Sequence, residues 1–236
     1  MFNDLFKTLR ALFLGFNIPN RHTARREKII LEYKNQKPLH EAFSLVMKKL
    51  IEALLSQGKY KYQLSVRVKD IEKLEEKIER KHNLGARYKR LSDIEDLVGI
   101  RIIFYTEADK EAFLKDLKNE IMGNIRIEEI ERDSGYMATH AIVSLGRRRL
   151  KLVEYEPFKG LKCEIQITSA IYHAWAELEH DLIYKDINGL EKLYPDKYKL
   201  AKEKLREILN KYIKRAVAEF EEVMREINDR KDWGGK

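Results

Sequence analysis

A nearly continuous apolar run at residues 97–105, LVGIRIIFY, constrains the fold of this chain most strongly. Strands that are buried on both faces read as such runs, whereas strands with one solvated face alternate between apolar and polar residues. We therefore predict a buried central strand here. Arg101 interrupts the run, and a buried guanidinium needs either an acid inside the fold or a bound phosphate as its partner.

The rest of the chain alternates between helical and extended patterns. Apolar residues at helical spacing predict an amphipathic helix within residues 1–16 and helices at 39–58, 70–82, about 107–121 and 196–230. Extended or alternating segments predict strands at 60–69, 125–131, 138–145, 149–154 and 162–168, with LGRRR at 145–149 as a turn. The predicted class is α+β, a mixed sheet of about five strands flanked by helices. The predicted boundaries are a helical N-terminal extension at 1–58, a core at 59–190 and a helical C-terminal extension at 191–236.

The charge of the chain indicates a polyanionic partner. The 236 residues carry a formal net charge of +8, and 36% of them are charged. Residues 1–37 alone hold eight lysines and arginines against three acids, most densely in NRHTARREK at 20–28. Such a cluster is either a solvated face or a phosphate-binding surface. The single cysteine, Cys163, excludes an internal disulfide and a cysteine-rich metal site.

Neither a signal peptide nor a transmembrane helix is expected. The opening stretch MFNDLFKTLRALFLGF is apolar, but it carries Asp4, Lys7 and Arg10 and is too short to span a bilayer. We expect it to pack on the body of the protein or on a second subunit, and we expect the protein to be cytoplasmic.

The segment RVKDIEKLEEK at 67–77 gathers cations around the start of a predicted helix. Arg67 and Lys69 share one face of an extended segment, and Lys77 lies two turns along the helix that follows. Cations near a helix N-terminus suit a triphosphate. Because the same spacing also occurs on solvent-facing segments, the motif alone leaves both interpretations open.

Two carboxylates lie in or beside predicted strands. Asp96 precedes the central strand in SDIEDLVGIR, and Glu164 lies in KCEIQITS, where alternation places Gln166 on the same face. Carboxylates bind Mg²⁺ together with substrate phosphates. The pair therefore predicts either a Mg²⁺ site or a metal with a general base. Simple capping is the alternative for Asp93, Glu95 and Asp96.

Aromatic and imidazole side chains complete the candidate site. Tyr136 follows a glycine in RDSGYMATH, and such a tyrosine either stacks on a nucleobase or lies half-buried. His140 ends the same motif. On the helix after the strand at 162–168, His173, Glu177 and His180 fall on one stripe, which is also compatible with zinc ligation.

Taken together and in this order, RVK…K, DIEDLVGIR, GYMATH and EIQIT…HAWAELEHDLIYK resemble the synthetase domain of the RelA/SpoT family. The resemblance covers about residues 60–187, roughly half of the chain. Members of this family transfer pyrophosphate from ATP to the 3′-hydroxyl of a nucleotide. The resemblance therefore implies a pyrophosphokinase that uses Mg²⁺ and a nucleotidyltransferase-like mixed sheet.

The resemblance also implies roles for the residues on the ATP side. Arg67 would lie near the adenine, and Lys69 and Lys77 would contact the phosphates. Arg101 matches the arginine that ends the aspartate motif and is assigned to the same side. This half of the family pattern is intact.

Asp96 and Glu164 would hold Mg²⁺, and Glu164 would also take the proton of the acceptor hydroxyl. Tyr136 would stack on the acceptor base. The residues expected on the acceptor side are Tyr136, His140, Arg132, Gln166 and His173.

Three departures from the family pattern lie on the acceptor side, at Met137-Ala138, Thr168-Ser169 and His173-Ala174-Trp175. The acceptor is therefore either GDP or GTP, which gives the alarmone (p)ppGpp, or the 3′-CCA end of tRNA, which makes a toxin that blocks translation. Retention of Arg67, Lys69, Asp96 and Glu164 argues against a non-enzymatic binding module. A hydrolase is not expected, because that activity needs a separate helical domain. The terminal helices are candidates for contacts in a homo-oligomer or with an antitoxin protein.

Overall fold

The computed structural model describes residues 21–121, 124–131, 137–181 and 189–229. Two units make up the chain. One comprises Met1–Pro38 and Asp70–Ile94, and the other comprises Leu39–Lys69 and Glu95–Lys236. The amphipathic helix predicted within residues 1–16 lies outside the described residues.

The second unit contains one mixed sheet of five strands, and the predicted α+β class is confirmed. The strands are β1 (Tyr62–Val68), β2 (Val98–Phe104), β3 (Ile125–Glu131), β4 (Met137–Val143) and β5 (Cys163–Ser169). Their order is β1-β2-β5-β4-β3. β2 and β5 are parallel, and the other neighbouring pairs are antiparallel. β2 is thus an inner strand, as its apolar run predicts.

One face of the sheet is the core, and the other is polar. A row of small and aliphatic side chains crosses all five strands on the core face, in the register Val66, Ile100, Ile165, Ala141, Ile127. Phe43, Met47 and Ile51 pack against this face together with Phe113 and Leu117. Because side chains alternate along a strand, the intervening residues lie on the opposite face, where the candidate site is found.

Seven α-helices accompany the strands in the described part of the chain. They are α1 (Arg21–Gln57), α2 (Ile71–Asn83), α3 (Glu107–Ile121), α4 (Ala170–Glu179), α5 (Leu190–Leu193), α6 (Pro195–Ile208) and α7 (Lys214–Asp229). None of the helices in this part is long and apolar enough to cross a membrane.

The helix predicted to begin after Pro38 begins much earlier, so that boundary is wrong. α1 starts at Arg21 and runs through Pro38. A proline inside a helix lacks the N–H for one backbone hydrogen bond. Ile29, Ile30 and Tyr33 are buried on the earlier half of α1. Burial of these side chains outweighs the lost hydrogen bond, since tertiary packing supplies most helical stability in proteins.

The strand predicted at 149–154 is also wrong. This segment forms a 3₁₀ turn at Arg149–Lys151, after which Val153 is 83% exposed. Leu150 N–H donates to the carbonyl of Gly146 at 3.1 Å. These local hydrogen bonds satisfy the backbone, so the alternation of apolar and basic residues does not produce a sheet strand.

The long C-terminal helix is present but interrupted. A π-helical turn at Leu209–Ile213 separates α6 from α7. The extra residue in such a turn rotates the apolar stripe. Leu209 and Val217 are therefore buried, whereas Tyr212 and Phe220 are exposed.

A glutamate of α7 caps the N-terminus of α3. Glu221 accepts hydrogen bonds from the backbone N–H of Glu107 at 2.7 Å and of Ala108 at 3.3 Å. The first N–H groups of a helix have no partner within the helix, and they favour negative charge. Glu221 therefore attaches the C-terminal helix to the element that follows β2.

Tyr60 connects the start of β1 to α3. Its hydroxyl donates to Asp116 Oδ2 at 2.5 Å. Its ring packs edge-on against Phe104 and Phe113, with centroids 5.7 and 6.0 Å away. Burial and the hydrogen bond to the Asp116 carboxylate raise the pKa of Tyr60 to about 12.

We predict that Tyr60 makes the stability of this protein fall at alkaline pH. An unfolded tyrosine titrates at 10.0, so the folded state binds this proton more tightly, and the free energy of unfolding decreases as the pH rises from 10 toward 12. Tyr60→Phe should remove this part of the decrease and cost about 1 kcal/mol at neutral pH. Urea unfolding across the pH range measures both effects. Tyr105→Phe, on an exposed tyrosine, is the control, and equal pH slopes for wild type and Tyr60→Phe would contradict the prediction.

Candidate active site

Polar side chains form two rows across the face of the sheet opposite the core. The first row runs from Arg67 on β1 through Gly99 on β2 to Glu164 on β5. The second row, one step along the strands, is Ser65, Arg101, Gln166 and His140. The register of the sheet thus brings together residues that are far apart in sequence.

Glu164 has a different partner at each carboxylate oxygen. His140 Nδ1 lies 3.0 Å from Oε1, and Gln166 Nε2 donates to Oε2 at 3.3 Å. The Glu164 and His140 side chains are only 15% and 13% exposed. Two hydrogen bonds to one largely buried carboxylate restrict its rotation, so Glu164 has a defined orientation.

His140 keeps one ring nitrogen available. Its Nε2 is buried and makes no hydrogen bond to any part of the chain that the structure describes. A buried polar atom of this kind is normally satisfied by water or by a bound molecule. His140 Nε2 can therefore form a hydrogen bond with water or with a bound molecule beside Glu164.

Arg101 is only partly buried, and its partner is an acid, Glu177. Its Nε donates to Gln166 Oε1 at 3.1 Å, and its Nη1 donates to Glu177 Oε1 on α4 at 3.0 Å. His173 Nδ1 lies 3.8 Å from the same Glu177 oxygen. Burial of the ring, together with the nearby Arg101 charge, lowers the pKa of His173. A neutral imidazole is therefore favoured beside this guanidinium.

Asp96 pairs with Lys69 at the end of the sheet where β1 stops and β2 begins. Lys69 Nζ lies 3.0 Å from Asp96 Oδ2, and each side chain is 13% exposed. The Lys69 N–H also donates to the carbonyl of Leu97 at 2.9 Å. Lysine and aspartate therefore hold each other beside the polar rows.

Gly99 makes room for Arg67. A Cβ at Gly99 would lie 3.2 Å from Arg67 Nε and 3.4 Å from its Cγ. The arginine stem therefore lies directly over the glycine. Ser65, Arg101 and Gln166 line the same small cavity of about 130 Å³.

A second cavity of about 80 Å³ lies between β5 and α4, lined by Arg101, Gln166 and His173 among others. Both cavities are smaller than the space that a whole nucleotide needs. Arg101 and Gln166 line both of them. The hydrogen-bonded pair thus separates a pocket on the β1 side from one on the α4 side.

The remaining predicted residues are not part of this arrangement as described. Lys77 lies on α2, in the unit that does not contain the sheet, and is half-buried. Arg132 and Tyr136 lie outside the described residues. Capping accounts for Asp93, whose Oδ2 accepts from the N–H groups of Lys89 and Arg90.

Sequence reasoning missed the role of Glu95, for which capping was the only interpretation. Arg126 and Lys162 both donate to its carboxylate. The hydrogen bond from Arg126 is the main reason why the pKa of Glu95 is below its ordinary value. No local pattern points to such a contact, since Arg126 is 31 residues away. The pairing of Glu177 with Arg101 was missed for the same reason, since the two residues are 76 positions apart.

The donor atoms of this face suit Mg²⁺ better than zinc. Asp96 and Glu164 are hard oxygen ligands at the same end of two neighbouring parallel strands, and phosphates and water can complete the shell of Mg²⁺. A structural or catalytic zinc site needs at least three protein ligands. The described residues contain no group of three histidines, cysteines or acids that could hold a metal. The zinc interpretation of His173, Glu177 and His180 therefore has no support.

Comparison with known proteins identifies the family of this chain. Residues 66–189 match the profile of the region found in RelA / SpoT proteins. The GTP pyrophosphokinase YwaC of Bacillus subtilis (strain 168) is 30% identical over 143 residues, which cover 58% of this chain and 65% of the relative. The chain thus spans just under two thirds of the length of this curated relative.

Solved structures share the fold. The small alarmone synthetase 1 from Bacillus subtilis superposes with a TM-score of 0.57 at 20% identity, over 86% of this chain and 99% of that chain. The same enzyme bound to its product pppGpp gives 0.56 over 86% of this chain and 97% of that chain, at 20% identity. The small alarmone synthetase 2 from Bacillus subtilis gives 0.55 at 25% identity, over 81% and 99% of the two chains. The region found in RelA / SpoT proteins covers more than half of this chain, and the chain therefore belongs to the RelA/SpoT family.

Proposed function

We propose that this protein is a pyrophosphokinase that transfers the β,γ-pyrophosphate of ATP to the 3′-hydroxyl of GDP or GTP and so forms (p)ppGpp. The observation that carries the proposal is the Glu164–His140 pair. The Glu164 carboxylate has a fixed orientation, and the His140 ring beside it has a buried Nε2 with no hydrogen-bond partner among the described residues. The names of the relatives, a GTP pyrophosphokinase and two small alarmone synthetases, support the same reaction.

The reaction exchanges one phosphorus–oxygen bond for another. The acceptor 3′-oxygen forms a bond to the β-phosphorus of ATP, the bond between that phosphorus and the oxygen bridging it to the α-phosphorus breaks, and AMP leaves. Glu164 accepts the proton of the 3′-hydroxyl, while Gln166 and His140 hold its carboxylate in the required direction. Orientation of this kind accounts for much of the rate enhancement in such reactions.

Cations on the β1 side bind ATP in this scheme. Arg67 lies along the adenine side, and Lys69 and Arg101 contact phosphate oxygens that gain charge in the transition state. Asp96 and Glu164 would hold Mg²⁺, which would supply positive charge to offset the charge of the phosphates. Lys77, Arg132 and Tyr136 keep the roles that the family resemblance predicts for them. The terminal helices remain candidates for contacts with a second copy of the chain or with an antitoxin protein.

A second acceptor, the 3′ end of tRNA, is favoured by charge. The chain carries a net charge of +8. The last turn of α2 exposes Arg80 and Lys81, and the segment between α2 and β2 exposes Arg87, Lys89 and Arg90. Exposed cations of this density suit a polyphosphate backbone.

Loss of the proton acceptor should abolish transfer. We predict that Glu164→Gln lowers kcat by at least about 10²-fold, because an amide cannot take a proton from the hydroxyl. The thermal midpoint should change little, since glutamine fills the same space. Transfer of label from [β-³²P]ATP to the acceptor measures the rate. Glu120→Gln, which removes a surface carboxylate away from the polar rows, is the matched control, and full activity in Glu164→Gln would refute the mechanism.

The glycine under Arg67 should be required for ATP binding. Gly99→Val places methyl groups where the arginine stem lies and should raise KM for ATP about tenfold or more by displacing a charge-assisted contact. Arg67→Met should have a similar effect, and the two substitutions together should add little to either alone. Steady-state kinetics with each substrate varied in turn are the measurement. A larger change in the acceptor KM than in the ATP KM would contradict the assignment of Arg67 to ATP binding.

The acceptor is identified by offering GDP, GTP and deacylated tRNA side by side. We expect label on the guanosine nucleotides, with a rate that depends weakly on salt. Transfer to tRNA should instead fall steeply with salt, because several phosphate contacts release counterions. Label on tRNA alone would replace the alarmone proposal with the toxin.

A further inference from the structure

Asp96 lies in an irregular segment, although the proposed site depends on its position. Residues 94–97 belong to no helix or strand, and β2 begins at Val98. Ladder hydrogen bonds therefore do not hold Asp96 in place as they hold Glu164. The position of its carboxylate depends instead on the side-chain and backbone contacts of its neighbours.

Lys69 tethers this segment on the side of β1. Its backbone N–H donates to the carbonyl of Leu97 at 2.9 Å, and its Nζ lies 3.0 Å from Asp96 Oδ2. β1 neighbours β2 on one side, whereas β5, β4 and β3 lie on the other. Ile94 and Leu97, at the two ends of the segment, are also buried, so this tether acts together with the packing of their side chains.

Glu95 tethers the same segment on the opposite side. Its Oε1 accepts from Lys162 Nζ at 2.7 Å and from Arg126 Nη1 at 3.2 Å, and its Oε2 accepts from Arg126 Nη2. Lys162 directly precedes β5, and Arg126 lies on the edge strand β3. One carboxylate therefore connects the segment before β2 to two other strands, and the contact with arginine is bidentate.

The two tethers act on adjacent residues. Glu95 bonds Arg126 on β3 and Lys162 before β5, whereas Asp96 pairs with Lys69 after β1. Exposed ion pairs generally contribute little to stability. Arg126 is half exposed and also bonds Glu128, so the network is poorly suited to stabilising the fold. Its bidentate geometry is well suited to fixing a direction.

We propose that Glu95 is a positioning residue, which holds Asp96 where it can bind a divalent cation together with Glu164. This inference rests on the proposed function, since it concerns the same metal site. The carboxylate of Glu95 is itself engaged with Arg126 and Lys162. It acts through the backbone that it shares with Asp96.

The test is metal binding, measured apart from turnover. Mn²⁺ is titrated into the protein and followed by electron paramagnetic resonance, in the presence of an ATP analogue with a methylene bridge between the α- and β-phosphorus. This analogue cannot be cleaved at the bond that the reaction breaks. Glu95→Ala should weaken Mn²⁺ binding about tenfold, as loss of a residue that orients a metal ligand typically does. The Mg²⁺ concentration that gives half-maximal activity should rise by a similar factor.

Two further variants separate positioning from general destabilisation. Glu128→Ala removes the other carboxylate on Arg126 without touching the Asp96 segment, so its Mn²⁺ affinity should equal that of wild type. Glu95→Gln retains an oxygen that can accept from both cations, so its affinity should lie between those of wild type and Glu95→Ala. It also serves as the test variant if Glu95→Ala does not fold.

Each contrary result has a distinct meaning. Wild-type affinity in Glu95→Ala and Glu95→Gln would overturn the positioning role and leave the proposed function intact. Equal weakening in Glu128→Ala would overturn it too, because the effect would belong to Arg126 in general. Absence of specific Mn²⁺ binding in the wild type with the analogue would remove the metal site itself, and with it the proposed mechanism.

Discussion

The two-residue period of β5 is the constraint on which the rest of the site depends. This strand lies between β2 and β4, and its side chains alternate strictly between buried and half-buried. Cys163, Ile165 and Ile167 are in the core, so Glu164 and Gln166 must lie on the other face. A shift of one residue would put a carboxylate into the core, at a prohibitive desolvation cost. Hydrophobic packing on one face thus fixes the position of the chemistry on the other.

The charges of the polar face are already paired before any substrate is present. Lys69 is beside Asp96, and Arg101 bonds Gln166 and Glu177. In the proposed reaction, an incoming polyphosphate would compete with these acids for the cations. The competition lowers ground-state affinity, but it also keeps each cation in a defined direction. Preorganised groups need no reorganisation at the moment of reaction, which is where electrostatic catalysis gains most.

Features with a local period could be predicted from the sequence. The sheet strands, the central position of β2 and the shared face of Glu164 and Gln166 all follow from alternation or from an apolar run. Tertiary packing or local hydrogen bonding overrode the sequence pattern elsewhere. α1 passes through Pro38 because its earlier half buries large side chains, and the basic stretch after Gly146 satisfies its backbone locally instead of joining the sheet.

Side-chain pairs between distant segments could not be predicted in this way. Arg101 and Glu177 are 76 residues apart, and Glu95 and Arg126 are 31 apart. Each pair exists only because the strand order brings the segments together. The unusual position of Arg101 in an apolar run did signal that a partner was needed, but an acid and a phosphate satisfy that need equally well. The need of Arg101 for a partner could thus be predicted from the sequence, whereas the identity of the partner could not.

The π turn at Leu209–Ile213 gives the C-terminal helix a property that a regular helix would lack. One residue in an α-helix corresponds to a rotation of about 100°. The turn therefore sets the rotation of α7 relative to α6, and a change of one residue in its length would present a different face of α7 to α3. Glu221 would then no longer meet the N-terminus of α3, and Phe220 would no longer point into solvent. The length of this short stretch, more than the composition of the helix, decides which surface the protein shows at this end.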